Sequence, residues 1–247
     1  MILGDVYLDS ALIFVLVAVL AVTIVVILSY FRKATSRRDT FLITGLSDAG
    51  KTTLYLRLRY GRIKPTHTSM QENEGLFALH TENADKANAP IHIVDVPGHE
   101  KLRYRFAEFL PIARAIIFVV DSSTITQQVR RSAEYLYDIL ANRHATVPKP
   151  IPILVVCNKS DHLLAASEGK IRTLLETEID KLRATRAAAL DKQDSGGQEE
   201  VYLGFDNEAF KFDHVPSDIT FVKSCLAGTE DEISGIEDII NWIQESS

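Results

Sequence analysis

The chain has 247 residues, of which 46% are hydrophobic and 24% are charged, and its formal net charge is −6. This length suits one globular domain of ordinary size with additions, and the acidic balance gives no indication of nucleic-acid binding. The two cysteines, Cys157 and Cys225, are too few for a disulfide framework and agree with a reducing compartment.

Residues 11–31 form an uncharged, apolar run near the start of the chain. As a helix this run would be ~30 Å long, which matches the hydrocarbon core of a bilayer. A cleaved signal peptide would begin with basic residues and have a shorter apolar stretch, whereas residues 1–10 contain Asp5 and Asp9 and no Lys or Arg. We therefore predict a single transmembrane helix over residues 11–31.

The flanks of the run predict its orientation. Four basic side chains follow it within the linker 32–38: Arg32, Lys33, Arg37 and Arg38. Because cytoplasmic flanks carry the excess of Lys and Arg, the main domain, residues 39–247, should lie in the cytoplasm. Residues 1–10 remain on the far side of the membrane and are too few to fold.

Residues 45–52 fit the phosphate-binding pattern G-x-x-x-x-G-K-[ST] between a predicted strand, Asp39–Thr44, and a predicted helix, Lys51–Tyr60. Its glycines let backbone N–H groups point at a phosphate, and the helix N-terminus adds a positive dipole. Lys51 would lie between the β- and γ-phosphates, and the Thr52 hydroxyl would ligate Mg²⁺. The alternative is a chance Gly-rich turn. The predicted nucleotide contacts here are Gly45, Ser47, Asp48, Ala49, Gly50, Lys51, Thr52 and Thr53.

The polar loop 62–71 contains three hydroxyl side chains. A nucleotide switch needs one hydroxyl in this loop to close on Mg²⁺ when the γ-phosphate is present. We favour Ser69, followed by Thr68, with Thr66 also open, because the spacing does not decide. The alternative is an ordinary flexible loop.

Asp95-Val96-Pro97-Gly98 follows a predicted buried strand, Ile91–Val94. After a phosphate-binding loop, this D-x-x-G pattern is typical of γ-phosphate sensing. Asp95 would hold Mg²⁺ through water, and the Gly98 N–H would contact the γ-phosphate. The alternative is an ordinary turn at a strand end.

Asn158-Lys159-Ser160-Asp161 follows a further predicted strand, Ile151–Asn158. The Asp161 carboxylate can accept hydrogen bonds from guanine N1–H and the 2-amino group, a donor pair that adenine lacks, so the site would reject ATP. Lys159 would lie along the base plane. The alternative is a solvated loop in which Asp161 caps a helix.

Other predicted elements alternate along the chain. The strands are Gly75–His80, Ala115–Asp121 and Ile219–Lys223, and the helices are Gln127–Asn142, Ser167–Leu190 and Gly235–Gln244. Near-continuous apolar strands between helices predict a doubly wound α/β fold, a mostly parallel six-stranded sheet covered on both faces. Gly75–His80 would be an antiparallel edge strand. Residues 191–200, rich in Gly, Ser, Gln and charge, predict a disordered insertion.

The order of these motifs resembles the Ras-like small GTPases over residues 38–246. The phosphate-binding run and Val119-Val120-Asp121-Ser122 are most similar to the Arf and Sar branch. With a membrane span before such a domain, and with Leu182-Arg183-Ala184-Thr185-Arg186 before the predicted insertion, the chain resembles the beta subunit family of the signal recognition particle receptor. By this resemblance the loop Ser224-Cys225-Leu226 would supply a backbone N–H to guanine O6.

The resemblance implies a Ras-like P-loop GTPase fold that binds GTP or GDP with Mg²⁺. It also implies an endoplasmic reticulum anchor with a short lumenal N-terminus. The GTP-bound domain would dock the N-terminal domain of the receptor alpha subunit for co-translational protein targeting, through switch regions 62–71 and 96–111. His99 stands where Ras and Arf proteins carry a Gln that orients water, so it is the candidate for water positioning and slow hydrolysis is expected.

Three other functions share parts of this pattern. The chain could be a constitutive GTP-loaded docking module with negligible turnover, or a membrane-anchored Arf-like trafficking GTPase with another partner. A P-loop ATP enzyme is opposed by Asn158-Lys159-Ser160-Asp161.

Overall fold

The computed structural model describes residues 12–13, 15, 17–20, 22–23, 38–62, 66–80, 89–146, 149–190, 202–205, 207–227 and 233–247. The chain divides into two compact units, Met1–Arg38 and Asp39–Ser247. In the first unit the described residues before Arg38 are helical and their side chains are exposed. No helix formed by the described residues is long and apolar enough to span a membrane. Much of the predicted span 11–31, the segment 1–10, most of the linker 32–38 and the predicted insertion 191–200 lie outside the described residues.

The second unit is built on one mixed sheet. Its described strands are β1 (Thr40–Thr44), β2 (Asn73–Phe77), β3 (Ile91–Asp95), β4 (Ala113–Asp121), β5 (Ile153–Asn158) and β6 (Ile219–Lys223). Their order is β2-β3-β1-β4-β5-β6. The β2–β3 pair is antiparallel and the other pairs are parallel. This confirms the predicted six-stranded, mostly parallel sheet with an antiparallel edge.

Helices cover both faces of this sheet. They are α1 (Lys51–Tyr60), α2 (Phe106–Phe109), α3 (Ile125–Leu140), α4 (Arg143–Thr146), α5 (Glu168–Leu190) and α6 (Ile236–Glu245). Alternate β1 residues point to opposite faces. Leu42 belongs to the apolar cluster that includes α3 and α5 side chains, whereas Phe41 and Ile43 belong to the cluster of α1 and α6. Burial of both faces explains why residues 41–43 of β1 and 153–157 of β5 are continuously apolar.

The edge strand lies earlier than predicted. The predicted antiparallel edge strand is present, but its predicted bounds Gly75–His80 were wrong: β2 pairs with β3 from Asn73 opposite Asp95 to Phe77 opposite Ile91. The His80 amide instead donates to the Leu58 carbonyl of α1 at 2.8 Å. Several other strands and helices begin one or two residues before or after their predicted first residue. The four-residue helices α2 and α4 were not predicted, because they are too short to show a helical period of apolar residues.

A buried arginine on α5 holds the segment 202–215. Arg183 is 7% exposed, and its Nη1 donates to the carbonyls of Leu203 at 3.2 Å and Phe205 at 2.9 Å. Its Nη2 donates to Asp180 Oδ1 at 2.7 Å and to the Glu208 carbonyl. One guanidinium therefore donates to three backbone carbonyls of a segment that forms little regular secondary structure of its own.

We expect Arg183→Met to lower the free energy of unfolding by about 2 kcal/mol, because it removes the donor from the carbonyl of buried Leu203 and from two partly buried carbonyls. Chemical denaturation of the full-length protein in detergent measures this. Lys181→Met is the matched control, since Lys181 is an exposed residue of the same helix and should change stability by less than about 0.5 kcal/mol. Equal unfolding midpoints for the two variants would contradict the assignment.

Candidate functional site

The phosphate-binding loop is curled by residues with positive φ. Gly45, Asp48 and Gly50 have φ of 134°, 62° and 98°. A Cβ at Gly45 would lie 2.2 Å from the Val119 carbonyl oxygen, and one at Gly50 would lie 2.2 Å from Asn158 Nδ2. Positions 45 and 50 therefore require glycine, because the backbone has positive φ and there is no space for a Cβ atom. The helix α1 begins at Lys51, so its N-terminus lies at the end of this loop.

Lys51 is a buried ammonium group that faces Gly98. It is 6% exposed, and its Nζ donates to the Leu46 carbonyl at 2.7 Å. Burial lowers the pKa of Lys51, while the neighbouring carboxylates of Asp95 and Asp48 oppose that shift. A Cβ at Gly98 would lie 2.5 Å from Lys51 Nζ. The structure thus brings these two predicted phosphate contacts together, at a point where an anion would compensate for the desolvation of the ammonium.

The three predicted metal ligands converge beside Lys51. Thr52 Oγ1 donates to Asp95 Oδ2 at 2.7 Å and lies 3.2 Å from Ser69 Oγ. Ser69 is thus the hydroxyl of the loop 62–71 that contacts Thr52, with Thr66 and Thr68 lining the same cleft. Asn73, which was not predicted, donates to Asp95 Oδ2 at 2.9 Å.

The two carboxylate oxygens of Asp95 differ in their hydrogen bonding. Its Oδ1 is buried and has no hydrogen-bond partner among the residues that the structure describes. Burial raises the pKa of Asp95, and hydrogen bonds from Thr52 and Asn73 and the charge of Lys51 oppose this shift. A carboxylate with an unsatisfied buried oxygen beside two hydroxyls is the hard oxygen donor set that Mg²⁺ prefers.

The residues after β5 connect the phosphate loop to the loop after β6. Asn158 is buried, and its Nδ2 donates to the Ala49 carbonyl at 2.8 Å. Its Oδ1 accepts the backbone N–H of Leu226 at 3.2 Å. Lys159 has φ of 60° and donates from Nζ to Asp121 Oδ2 at 2.7 Å. The side-chain amide of Asn158 therefore joins two predicted ligand-binding loops.

Asp161 is exposed at the base end of the site. A hydrogen bond from the Cys225 side chain lowers the pKa of the Asp161 carboxyl, because it stabilises the ionised form, which is the hydrogen-bond acceptor. We define residues 224–227 as the base loop. The amides of Ser224, Cys225 and Leu226 donate to Cys157, Ser234 and Asn158, and Ala227 is the base-loop residue that lines the cleft.

One cleft of about 370 Å³ collects most of these side chains. It lies at the carboxyl ends of β1, β3 and β5, as expected for a doubly wound sheet. The predicted contacts that are not among its lining residues are Gly45, Ala49, Asp95, Asp161, Ser224, Cys225 and Leu226. His99 lines an adjoining cavity of about 320 Å³ instead. The lining residues are Ser47, Asp48, Gly50, Lys51, Thr52, Thr53, Thr66, His67, Thr68, Ser69, Gly98, Asn158, Lys159 and Ala227.

Comparisons with known proteins agree with this architecture. The chain matches the family described as signal recognition particle receptor beta subunit over residues 36–219. It is 35% identical to signal recognition particle receptor subunit beta of Rattus norvegicus over 241 residues, covering 95% of this chain and 87% of that protein.

Solved structures give the same result. The structure of the mammalian SRP receptor is similar with a TM-score of 0.70 and 29% identity, covering 84% of this chain and 100% of that chain. A second similar structure is the Chaetomium thermophilum receptor complex SRb-GTP/SRX, with a TM-score of 0.66 and 22% identity. It covers 83% of this chain and 99% of that chain. The chain belongs to the signal recognition particle receptor beta subunit family, which is the family that its motifs resemble.

Proposed function

We propose that this protein binds GTP in the cleft and acts as the membrane-anchored, nucleotide-dependent subunit of a signal recognition particle receptor. One observation carries the proposal: residues predicted to contact the phosphates, the metal and the base, such as Lys51, Thr52 and Lys159, line a single cleft although they are far apart in the chain. The complex SRb-GTP/SRX of Chaetomium thermophilum supports the choice of nucleotide, since that protein holds GTP.

Each end of the cleft has a separate role in this proposal. Lys51 and the N-terminus of α1 bind the phosphates, and Asp161 accepts hydrogen bonds from the guanine edge. We assign the O6 contact to Ala227, because it is the base-loop residue that lines the cleft. Thr52, Ser69 and Asp95 would hold Mg²⁺, which neutralises phosphate charge when it is bound.

An ion pair supports coupling between the two switch regions. Arg105, within 96–111, contacts Glu72, just after the loop 62–71, through Nη1–Oε2 at 2.6 Å and Nη2–Oε1 at 3.0 Å. The Nη2–Oε1 contact is a charge-assisted hydrogen bond, and the Nη1–Oε2 contact adds a close ion pair. A movement of Gly98 on loss of the γ-phosphate would therefore be transmitted through Arg105 to the segment that follows Ser69.

Slow hydrolysis is part of the proposal. His99 Nδ1 accepts the Lys101 backbone N–H at 3.3 Å, and the ring lines the adjoining cavity. A neutral imidazole bonded in this way has only Nε2–H left as a donor, so it offers less to an attacking water than a Gln side chain. This observation favours a long-lived GTP state, and it keeps the constitutive docking module open as a second function. Single-turnover hydrolysis with and without the partner distinguishes the two.

The partner that we propose is the N-terminal domain of the receptor alpha subunit, bound through 62–71 and 96–111 at the endoplasmic reticulum membrane. Both regions present large apolar side chains to solvent, with Met70 65% and Tyr104 63% exposed. Loading the full-length protein with GTP or GDP and measuring capture of that domain tests this proposal. Capture by the GTP form alone is expected. Recovery of a coat or tether component without the alpha subunit would support the Arf-like alternative.

We further propose that residues 11–31 span the membrane, with residues 1–10 in the lumen and 39–247 in the cytoplasm. The support is the uncharged run together with exposed apolar side chains on its described helical residues, such as Leu12, Val15 and Val22.

Deletion of residues 1–31 is expected to give a protein that fractionates with the soluble phase and binds GTP with unchanged affinity, because the cleft belongs to the unit Asp39–Ser247. Membrane flotation and equilibrium GTP binding measure these two properties. A deletion variant that still floats with membranes would contradict the assignment of the anchor.

A further inference from the structure

Arg57, on α1, is a buried arginine with a specific partner far away in the sequence. It is 7% exposed, and its Nε donates to the backbone carbonyl of Leu226 in the base loop at 2.6 Å. Burial of a guanidinium is unfavourable unless its donors are satisfied. None of the sequence motifs contains Arg57, and it does not line the cleft. Its position therefore indicates a role that acts through the base loop.

The peptide groups of Leu226 are held from two sides. Arg57 donates to its carbonyl, while its N–H donates to Asn158 Oδ1 at 3.2 Å. The residue before it, Cys225, hydrogen-bonds through its side chain to the Asp161 carboxylate. The residue after it, Ala227, lines the cleft. The orientation of Leu226 thus affects both sides of the surface that would read the base.

We propose that Arg57 is a positioning residue for guanine recognition, an inference that rests on the proposed function. A charge-assisted hydrogen bond from Arg57 fixes the carbonyl of Leu226, and this bond holds Cys225 and Ala227 where Asp161 and the base need them. Arg57 lies on the same helix as Lys51 and Thr52, so the bond also ties the base loop to the helix that binds the phosphates. Removing the bond should weaken base recognition and leave the phosphate contacts in place.

Arg59 provides a matched control on the same helix. It carries the same charge two residues further along, is exposed, and donates from Nη1 to the Tyr55 hydroxyl at 3.1 Å. A general effect of removing positive charge from α1 would appear in Arg57→Met and Arg59→Met alike. An effect through the base loop would appear only in Arg57→Met.

The test is the preference for GTP over ATP in the full-length protein in detergent, measured by competition against a fluorescent GDP analogue. We expect Arg57→Met to bind GTP about tenfold more weakly, the size of a lost hydrogen bond to a charged donor, and to bind ATP with unchanged affinity. Arg57→Lys keeps one charged donor and should give a smaller loss. Arg59→Met should match the wild type.

An unchanged GTP/ATP ratio in Arg57→Met, including equal weakening of both nucleotides, would overturn the proposal, because it would show that Arg57 only supports the fold. If Arg57→Met does not fold, the same ratio measured for Arg57→Lys decides between the two outcomes. Failure of the proposed function is distinguishable, since the wild type itself would then show no preference for GTP.

Discussion

Asp161→Asn is expected to lose its preference for GTP and to bind XTP in its place. The carboxylate can accept two hydrogen bonds from the guanine edge, whereas an amide offers a donor that suits the 2-oxo group of xanthine. Sites built around a buried or aligned hydrogen bond discriminate strongly against analogues that lack it, so the GTP/XTP ratio should fall by on the order of 10³. The Cys225 side chain hydrogen-bonds to the same carboxylate and lowers the pKa of Asp161.

Equilibrium binding of GTP and XTP to the two proteins measures this change. Asp213→Asn is a suitable control, because Asp213 is an exposed carboxylate that pairs with Arg172 and lies outside the cleft lining. A variant at Asp161 that still binds GTP in preference to XTP would remove Asp161 from base recognition.

Lys51→Ala is expected to weaken GTP binding by about 100-fold, because it removes a charged hydrogen bond to the phosphates. Thr52→Asn should weaken binding as well, since it removes the hydroxyl that contacts both Asp95 and Ser69. Both variants should lose capture of the alpha-subunit domain together with nucleotide. Equilibrium binding and the capture experiment measure the two effects.

The stability of these variants separates ligand binding from folding. Burial lowers the pKa of Lys51, so its charged form is held in the fold at a desolvation cost, and its removal should not lower the unfolding midpoint without nucleotide. Lys170→Ala is the control, as Lys170 is exposed on α5. Unchanged GTP affinity in both Lys51→Ala and Thr52→Asn would contradict the assignment of the phosphate site.

The strand pattern predicted the sheet because continuous apolar runs leave few alternatives to burial on both faces. The phosphate loop and the residues around Asp95 and Asn158 were predicted because each motif follows a strand directly, and parallel strands bring their carboxyl ends to one edge. Local sequence thus accounts for the position of the cleft and for the residues contributed by single loops.

The sequence patterns did not predict contacts between residues that are far apart in the chain. The choice of Ser69 over Thr68 depends on the distance to Thr52, which spacing along a loop does not fix. Asn73 reaches Asp95 only because the β2–β3 register places them opposite each other. The bond between Arg57 and Leu226 joins residues 169 positions apart, and a single arginine within a helix has no periodic signal that would indicate it.

The most direct test of the central claim is to isolate the full-length protein and identify the nucleotide that it releases on denaturation. The cleft is lined by Lys51, Thr52 and Lys159, and with Asp161 two residues after Lys159 our proposal predicts a guanine nucleotide, retained in the presence of excess ATP. Release of an adenine nucleotide, or displacement of the bound nucleotide by ATP, would contradict the account.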